Sequence, residues 1–124
     1  MRSAARDRRS RAGRPLVRNP FTRSTVAVTD AQQLVAGGEA ILIDVRTRKE
    51  WKEGHPPEAI HISLASLDGQ MARIPGDRMV LVICRSGTRS AQAVRLMRAA
   101  GRDAHNVRGG VVGWVRAGLP VSTR

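Results

Sequence analysis

The chain has few cysteines and aromatic residues and no long apolar run. Of its 124 residues, one is cysteine, none is tyrosine and 2% are aromatic, so the core must be aliphatic. A single cysteine cannot form a disulfide within the chain, which excludes a disulfide-stapled scaffold and an internal dithiol cycle. No apolar run reaches the roughly 20 residues that a bilayer requires. We therefore expect a cytoplasmic protein with no membrane span.

Acidic residues are scarce at the N-terminus, where residues 1–23 hold eight arginines and one aspartate. This segment carries more than half of the net charge of +12. No signal-peptide-like apolar segment follows it, and Pro15 and Pro20 interrupt it. We expect residues 1–23 to be a disordered Arg-rich tail before a domain over residues 24–124. Tail contact with nucleic acid or an acidic partner stays open, and nothing else in the chain favours nucleic acid.

Short β-branched or apolar segments alternate with helical segments along the rest of the chain. The predicted strands are 24–28, 40–45, 59–62, 79–83 and 103–107, and the main predicted helices are 31–36, 46–53 and 90–100. This alternation predicts an α/β fold with a central, mostly parallel sheet and helices on both faces. Thr29 or Asp30 is the expected N-cap of the first helix, and Ser90 that of the third.

The only cysteine, Cys84, follows the apolar strand 79–83 and precedes a helix, in the position where parallel sheets bind ligands. A turn into a helix N-terminus directs backbone N–H groups at that position, and such groups bind anions or a thiolate. Together with the helix dipole and the loop arginines, they are expected to lower the thiol pKa from about 8.5. Cys84 is therefore a candidate nucleophile.

Three motifs, in this order, resemble those of a single-domain rhodanese-family sulfurtransferase. The first signature is matched by Asp44-Val45-Arg46, Glu50-Trp51 and Gly54-His55, the loop C-R-x-G-x-R by 84–89, and the C-terminal signature by Gly109-Gly110, Gly113-Trp114 and 117–121. Pro56 and Glu58 depart from the residues usual in the first signature. The resemblance covers about residues 24–121 and implies a rhodanese-like fold.

The resemblance also implies a two-step transfer of sulfane sulfur. By this resemblance Cys84 is the nucleophile, which takes the outer sulfur of a small anionic donor, such as thiosulfate, and becomes a persulfide. The residues implied to bind the substrate are those of the loop, Arg85, Ser86, Gly87, Thr88 and Arg89. An acceptor, either cyanide or a small-molecule or protein thiol, then removes that sulfur. No cofactor is implied. No metal site is expected, because one cysteine and three scattered histidines do not form one.

Two other functions stay open. The first is a persulfide carrier or regulatory rhodanese-like binding module with little turnover alone, which the basic tail motivates. The second is a phosphatase or arsenate reductase. Cysteine-dependent phosphatases place arginine in the pattern C-x5-R, and Ser90 occupies that position here. Arg89 gives a shorter loop, which suits a sulfur atom better than a tetrahedral phosphate.

Asp44 and Arg46 follow another predicted strand and have two interpretations. One places both near the floor of the pocket, where they tune its electrostatics. The other pairs Arg46 with Glu50 four residues later on a short helix, and we favour it for these two residues. For the remaining candidates, we expect His55 and His61 to pack or cap turns, His105 to lie at the surface, and Trp51 and Trp114 to anchor the core.

Overall fold

The computed structural model describes residues 25–124, so the predicted tail lies outside the described residues. The strands are β1 (Thr25–Ala27), β2 (Ala40–Asp44), β3 (Ile60–His61), β4 (Met79–Ile83) and β5 (Asp103–Arg108). The helices are α1 (Val28–Ala36), α2 (Arg48–Glu53), α3 (Leu67–Gln70), α4 (Thr88–Ala99) and α5 (Gly110–Arg116), with single 3-10 turns at Leu64–Ser66 and Met71–Arg73. Within this range no helix is long and apolar enough to cross a membrane.

The five strands form one sheet in the order β1-β5-β4-β2-β3, and every neighbouring pair is parallel. Alternate residues of β4 face opposite sides, so Val82 lies in one buried cluster and Leu81 in another. The cluster around Val82 includes Met97 of α4, and the cluster around Leu81 includes Trp114 of α5. The predicted α/β fold, with helices on both faces of a parallel sheet, is therefore confirmed.

The three predicted helices each begin two or three residues away from the observed start, and both predicted N-caps are wrong. Helix α1 begins at Val28, before Thr29 and Asp30, and its N-cap Ala27 makes no side-chain capping bond. Helix α4 begins at Thr88 with Gly87 as its N-cap, whereas Ser90 is fully buried in its first turn. Gly87 has a φ of +118°, a conformation that favours glycine, so the chain turns directly from the loop into the helix. Ser90 is thereby directed inward.

The histidine and tryptophan predictions divide. His105 is buried and not at the surface, because β5 is an interior strand paired on both sides. Its Nε2 lies 2.7 Å from Asp103 Oδ1. Trp114 is a buried core residue, as predicted, and donates its indole N–H to the Pro120 carbonyl at 2.7 Å. Trp51 is only half-buried and stacks on His55 with ring centroids 3.4 Å apart.

Candidate active site

Cys84 lies between the end of β4 and the first turn of α4, in the position predicted for it. Its Sγ accepts a hydrogen bond from the Gly87 backbone N–H at 3.1 Å. The hydroxyl of Ser90 lies 3.2 Å away and donates to the same sulfur. The residue is only 1% exposed. The sulfur is thus enclosed, and both of these groups are donors directed at it.

The thiol of Cys84 is more acidic than an ordinary cysteine. Burial raises its pKa. The Ser90 hydroxyl and the backbone N–H groups of Ser90, Gly87 and Ser86 lower the pKa by more than burial raises it, so the net effect is a lowered pKa. Each of these donors favours the thiolate over the thiol. Because the thiolate is the nucleophilic form, the loop geometry increases the reactive fraction near neutral pH.

The start of α5 fixes the back of the Cys84 loop. The Cys84 carbonyl accepts the Val111 N–H at 2.8 Å, and the Arg85 carbonyl accepts the Val112 N–H at 3.1 Å. Gly110 lies against these carbonyls with a φ of +60°, and a Cβ at this position would collide with the Arg85 carbonyl. Gly110, the second of the paired glycines in the C-terminal motif, therefore allows the close approach of α5 to the reactive loop.

Arg89, a predicted substrate-binding residue, makes a bidentate ion pair with Glu50 of α2. Its two terminal nitrogens lie 2.7 and 3.0 Å from the carboxylate oxygens. The hydrogen bond from Arg89 lowers the pKa of Glu50 to about 2, and the same contact raises the pKa of Arg89. Arg89 thus links α4 to α2, and its guanidinium is engaged within the protein.

The favoured pairing of Arg46 with Glu50 is wrong. Arg46 precedes the N-cap Thr47, so it is not on the helix that carries Glu50. The Glu50 side chain instead accepts the Thr47 N–H at 3.0 Å in a capping box, and its carboxylate also reaches Arg89. A sequence spacing of four residues brings side chains together only when both residues are helical.

Arg46 pairs instead with Asp44 at the end of β2. Its Nε and Nη2 bind the carboxylate at 3.0 and 2.8 Å, and Nη2 also donates to the Gly54 carbonyl at 2.7 Å. The carboxylate further accepts the Arg46 backbone N–H at 3.0 Å. Both side chains are buried, at 7% and 0% exposure. Asp44 and Arg46 therefore form a closed unit at the same sheet edge as Cys84.

Two cavities flank α2 at this edge. The first, of about 390 Å³, is lined by Arg46, Glu50, Glu53, Arg85, Val111, Val112, Val115 and Arg116. The second, of about 450 Å³, is lined by Val45, Thr47, Arg48, Ser63, Leu64, Ala65 and Arg89.

Arg85 is exposed, and among residues 25–124 its side chain has no hydrogen-bond or ion-pair partner. Of the remaining predicted binding residues, Ser86 is exposed on the loop and Thr88 is exposed at the first position of α4.

Asn106 of β5 belongs to the site, and the sequence analysis missed it. Its Nδ2 donates to the Gly87 carbonyl at 3.0 Å, and its Oδ1 accepts from the Ser90 hydroxyl at 2.5 Å. The available signal was a polar residue, Asn106, near the C-terminal end of an interior strand, at the sheet edge where Cys84 lies. No group of three or more His, Cys, Asp or Glu side chains that could hold a metal is present in the described part of the chain.

Comparisons with known proteins identify the family and the relatives of this chain. Residues 27–117 match the family described as the rhodanese-like domain. A sulfurtransferase from Allochromatium vinosum is 38% identical over 92 residues, which are 73% of this chain and 86% of that protein. The HTH-type transcriptional regulator Rv0324 from Mycobacterium tuberculosis is 39% identical over 99 residues, 77% of this chain, and this chain spans only 44% of that regulator's length.

Among solved structures, the crystal structure of a rhodanese-related protein from Thermoplasma volcanium superposes with a TM-score of 0.75. It is 27% identical, and the match covers 81% of this chain and 98% of that one. The family match over residues 27–117 extends from the end of β1 to the end of α5, so it includes every element that contacts Cys84. The chain belongs to the rhodanese-like domain family.

Proposed function

We propose that this protein is a sulfurtransferase that moves a sulfane sulfur from thiosulfate or a related persulfide donor to a thiol or to cyanide. Cys84 is the nucleophile and becomes a persulfide between the two steps. The observation that carries the proposal is the placement of Sγ among donors, the Gly87 N–H at 3.1 Å and the Ser90 hydroxyl at 3.2 Å. These donors favour an anionic sulfur, which the reaction needs.

In the first step the Cys84 thiolate attacks the outer sulfur of thiosulfate. A bond forms between Sγ and that sulfur, while the bond from the outer sulfur to the sulfonate sulfur breaks and its electron pair leaves as sulfite. The donor is an anion, so we assign its orientation to the exposed guanidinium of Arg85 and to the N–H groups of the loop. Arg89 acts through its ion pair with Glu50, which holds the start of α4 against α2.

In the second step the acceptor attacks the outer sulfur of the persulfide. The acceptor gains the sulfur, and Cys84 leaves as a thiolate that the same N–H and hydroxyl donors stabilise. The site therefore returns to its starting state without a reductant. A nucleophile that must stay reduced between turnovers supports a cytoplasmic location.

The direct test compares the wild type with Cys84→Ser. After treatment with thiosulfate, mass spectrometry of the intact wild type should show a gain of one sulfur atom that cyanide removes as thiocyanate. Cys84→Ser should gain none and should release no thiocyanate above background. A wild type that turns over no faster than Cys84→Ser, with thiosulfate and with low-molecular-weight persulfides, would reject the proposal.

A second candidate is a persulfide carrier or regulatory module that turns over slowly alone. The relative Rv0324 carries the name of a transcriptional regulator. Cys84 is only 1% exposed, which restricts the access of acceptor molecules from solution to the sulfur. This candidate predicts stoichiometric persulfide formation with little multiple turnover. Deletion of residues 1–22 separates the two, because loss of partner binding with unchanged chemistry indicates a docking tail.

A further inference from the structure

Asn106 contacts two of the residues that donate to Cys84, Gly87 and Ser90. It lies on β5 opposite Val82 of β4, and the cluster that buries Val82 also contains Cys84. Its Nδ2 donates to the Gly87 carbonyl at 3.0 Å, and its Oδ1 lies 2.5 Å from the Ser90 hydroxyl oxygen. One side chain outside the loop thus connects to the two groups that lie closest to a full hydrogen bond with the reactive sulfur, the Gly87 peptide and the Ser90 hydroxyl.

The orientation of the Asn106 amide follows from its partners. The Gly87 carbonyl can only accept, so the NH₂ group must face it and the amide oxygen must face Ser90. The Ser90 hydroxyl has a single proton, but two acceptors lie within its reach. These are Asn106 Oδ1 at 2.5 Å and Cys84 Sγ at 3.2 Å. Ser90 can donate fully to only one of them at a time.

The better acceptor depends on the state of the sulfur. A Cys84 thiol carries its own proton and can donate it to the Ser90 oxygen while Ser90 donates to Asn106. When that proton has left to solvent, or when a persulfide has formed, Sγ can only accept, and the Ser90 hydroxyl rotates towards it. We propose that Asn106 is a positioning residue that competes with Cys84 Sγ for the Ser90 proton, and so limits the stabilisation that Ser90 gives to an anionic sulfur.

Asn106 also acts through Gly87, with the opposite sign. Its removal frees the Ser90 proton for the sulfur, which favours the thiolate. It also releases the Gly87 carbonyl and loosens the peptide whose N–H contacts Sγ, which disfavours the thiolate. The competition is therefore visible only as a coupling between Asn106 and Ser90, and a double-mutant cycle isolates that coupling.

The experiment titrates the ultraviolet thiolate absorbance of wild type, Asn106→Leu, Ser90→Ala and the double variant. The readout is specific, because Cys84 is the only cysteine and the chain has no tyrosine. Two shifts of the Cys84 pKa are compared: the shift caused by Asn106→Leu when Ser90 is present, and the shift caused by the same substitution when Ser90 is replaced by alanine. We expect the first to lie lower than the second by about 0.4 units or more. Equal shifts in both backgrounds, or a coupling of the opposite sign, would overturn the proposal.

Controls keep the result specific. Gln92→Ala, at an exposed position of α4, should leave the pKa unchanged. Asn106→Ala repeats the cycle if Asn106→Leu lacks the wild-type circular dichroism spectrum. The charged side chains at this sheet edge, which stay the same in all variants, are Asp44, Arg46, Glu50, Arg85 and Arg89. The inference deepens the proposed function, but the titration needs no sulfur donor or turnover, so the two can fail separately.

Discussion

Strands β2 and β4 are parallel neighbours that end at the same edge of the sheet, with Asp44 opposite Ile83. The two strand ends differ in the groups that stabilise a negative charge there. After β2, the carboxylate of Asp44 is neutralised by the fixed, buried guanidinium of Arg46. After β4, the sulfur of Cys84 meets a backbone N–H and a hydroxyl, which are neutral dipoles. One strand end pairs full charges, whereas at the other the groups that donate to the sulfur are dipoles.

This difference indicates a structural role for the end of β2 and a chemical role for the end of β4. A buried ion pair stabilises one charge state, and removing either partner leaves an uncompensated charge. Neutral donors instead accommodate a thiol, a thiolate or a persulfide without a large change in stability. Arg89, in the first turn of α4, is already paired with Glu50. We infer that the end of β2 supports the fold and that the end of β4 is free to change state.

The largest expected effect tests the β2 side. Asp44→Asn keeps the shape of the side chain but leaves the buried Arg46 without a counter-charge, so we expect a loss of about 3–5 kcal/mol in the free energy of unfolding. Urea denaturation measures it, with the exposed Asp68→Asn as a control that should stay within about 0.5 kcal/mol. Unchanged stability together with a shifted Cys84 reactivity would instead assign Asp44 to the pocket electrostatics.

The support behind the β4 loop gives the next effect. Gly110→Ala and Gly118→Ala both place a side chain at positive φ, +60° and +75°, which costs about 1–2 kcal/mol. At Gly118 the new Cβ meets nothing within 4 Å, whereas at Gly110 it collides with the Arg85 carbonyl. We expect Gly110→Ala to lose a further 1–3 kcal/mol or so and most of its turnover. Equal losses for both variants would show that the close approach is not required.

The third prediction concerns the neutral donors themselves. Ser90→Ala removes a donor that favours the thiolate, so the pKa of Cys84 should rise. The pH profile of alkylation should move to higher pH, while the exposed Ser66→Ala leaves it in place. An unmoved profile for Ser90→Ala would mean that the hydroxyl does not stabilise the thiolate.

The same shift affects stability with a defined sign. The folded pKa of Cys84 lies below the ordinary value, so ionisation adds stability above the unfolded pKa, and this contribution is lost as the pH falls through the folded pKa. Ser90→Ala should reduce this gain. Denaturation of both proteins across this pH range provides the measurement, and identical curves would contradict the expectation.

The strands of this fold were largely predictable, because a sheet covered on both faces requires continuous apolar runs. The prediction of 79–83 matches β4, and that of 40–45 extends one residue beyond β2. Helix starts were less predictable. The expected side-chain caps of α1 and α4 do not occur, and a glycine at positive φ begins α4 instead.

The loop motif predicted the place of Cys84 and a backbone N–H group directed at it, but not the side-chain contacts around the site. Asn106 and Ser90 are 16 residues apart, and Arg89 and Glu50 are 39 residues apart. The sheet order brings β5 beside β4, and local spacing carries no information about that order. The same limitation explains the wrong prediction of an Arg46–Glu50 pair, because a spacing of four residues is the kind of contact that is read most directly from a sequence.

The smallest expected effect tests the ion pair that links the two sides, Glu50–Arg89. Glu50→Gln removes the charge but keeps a residue suited to the capping box with Thr47, so it isolates the pair. The side chains are 25% and 35% exposed, and we expect a loss below about 1 kcal/mol at neutral pH. The Arg89 hydrogen bond lowers the pKa of Glu50 from 4.5 to about 2.

The pH dependence of that small loss decides its origin. A lowered carboxyl pKa adds stability that is complete above 4.5 and disappears as the pH falls through about 2. The difference between wild type and Glu50→Gln should therefore shrink across this window. Glu53→Gln, at an exposed position of the same helix, should follow the wild type throughout. A difference that stays constant with pH would assign the loss to packing, and the link between the two strand ends would not depend on charge.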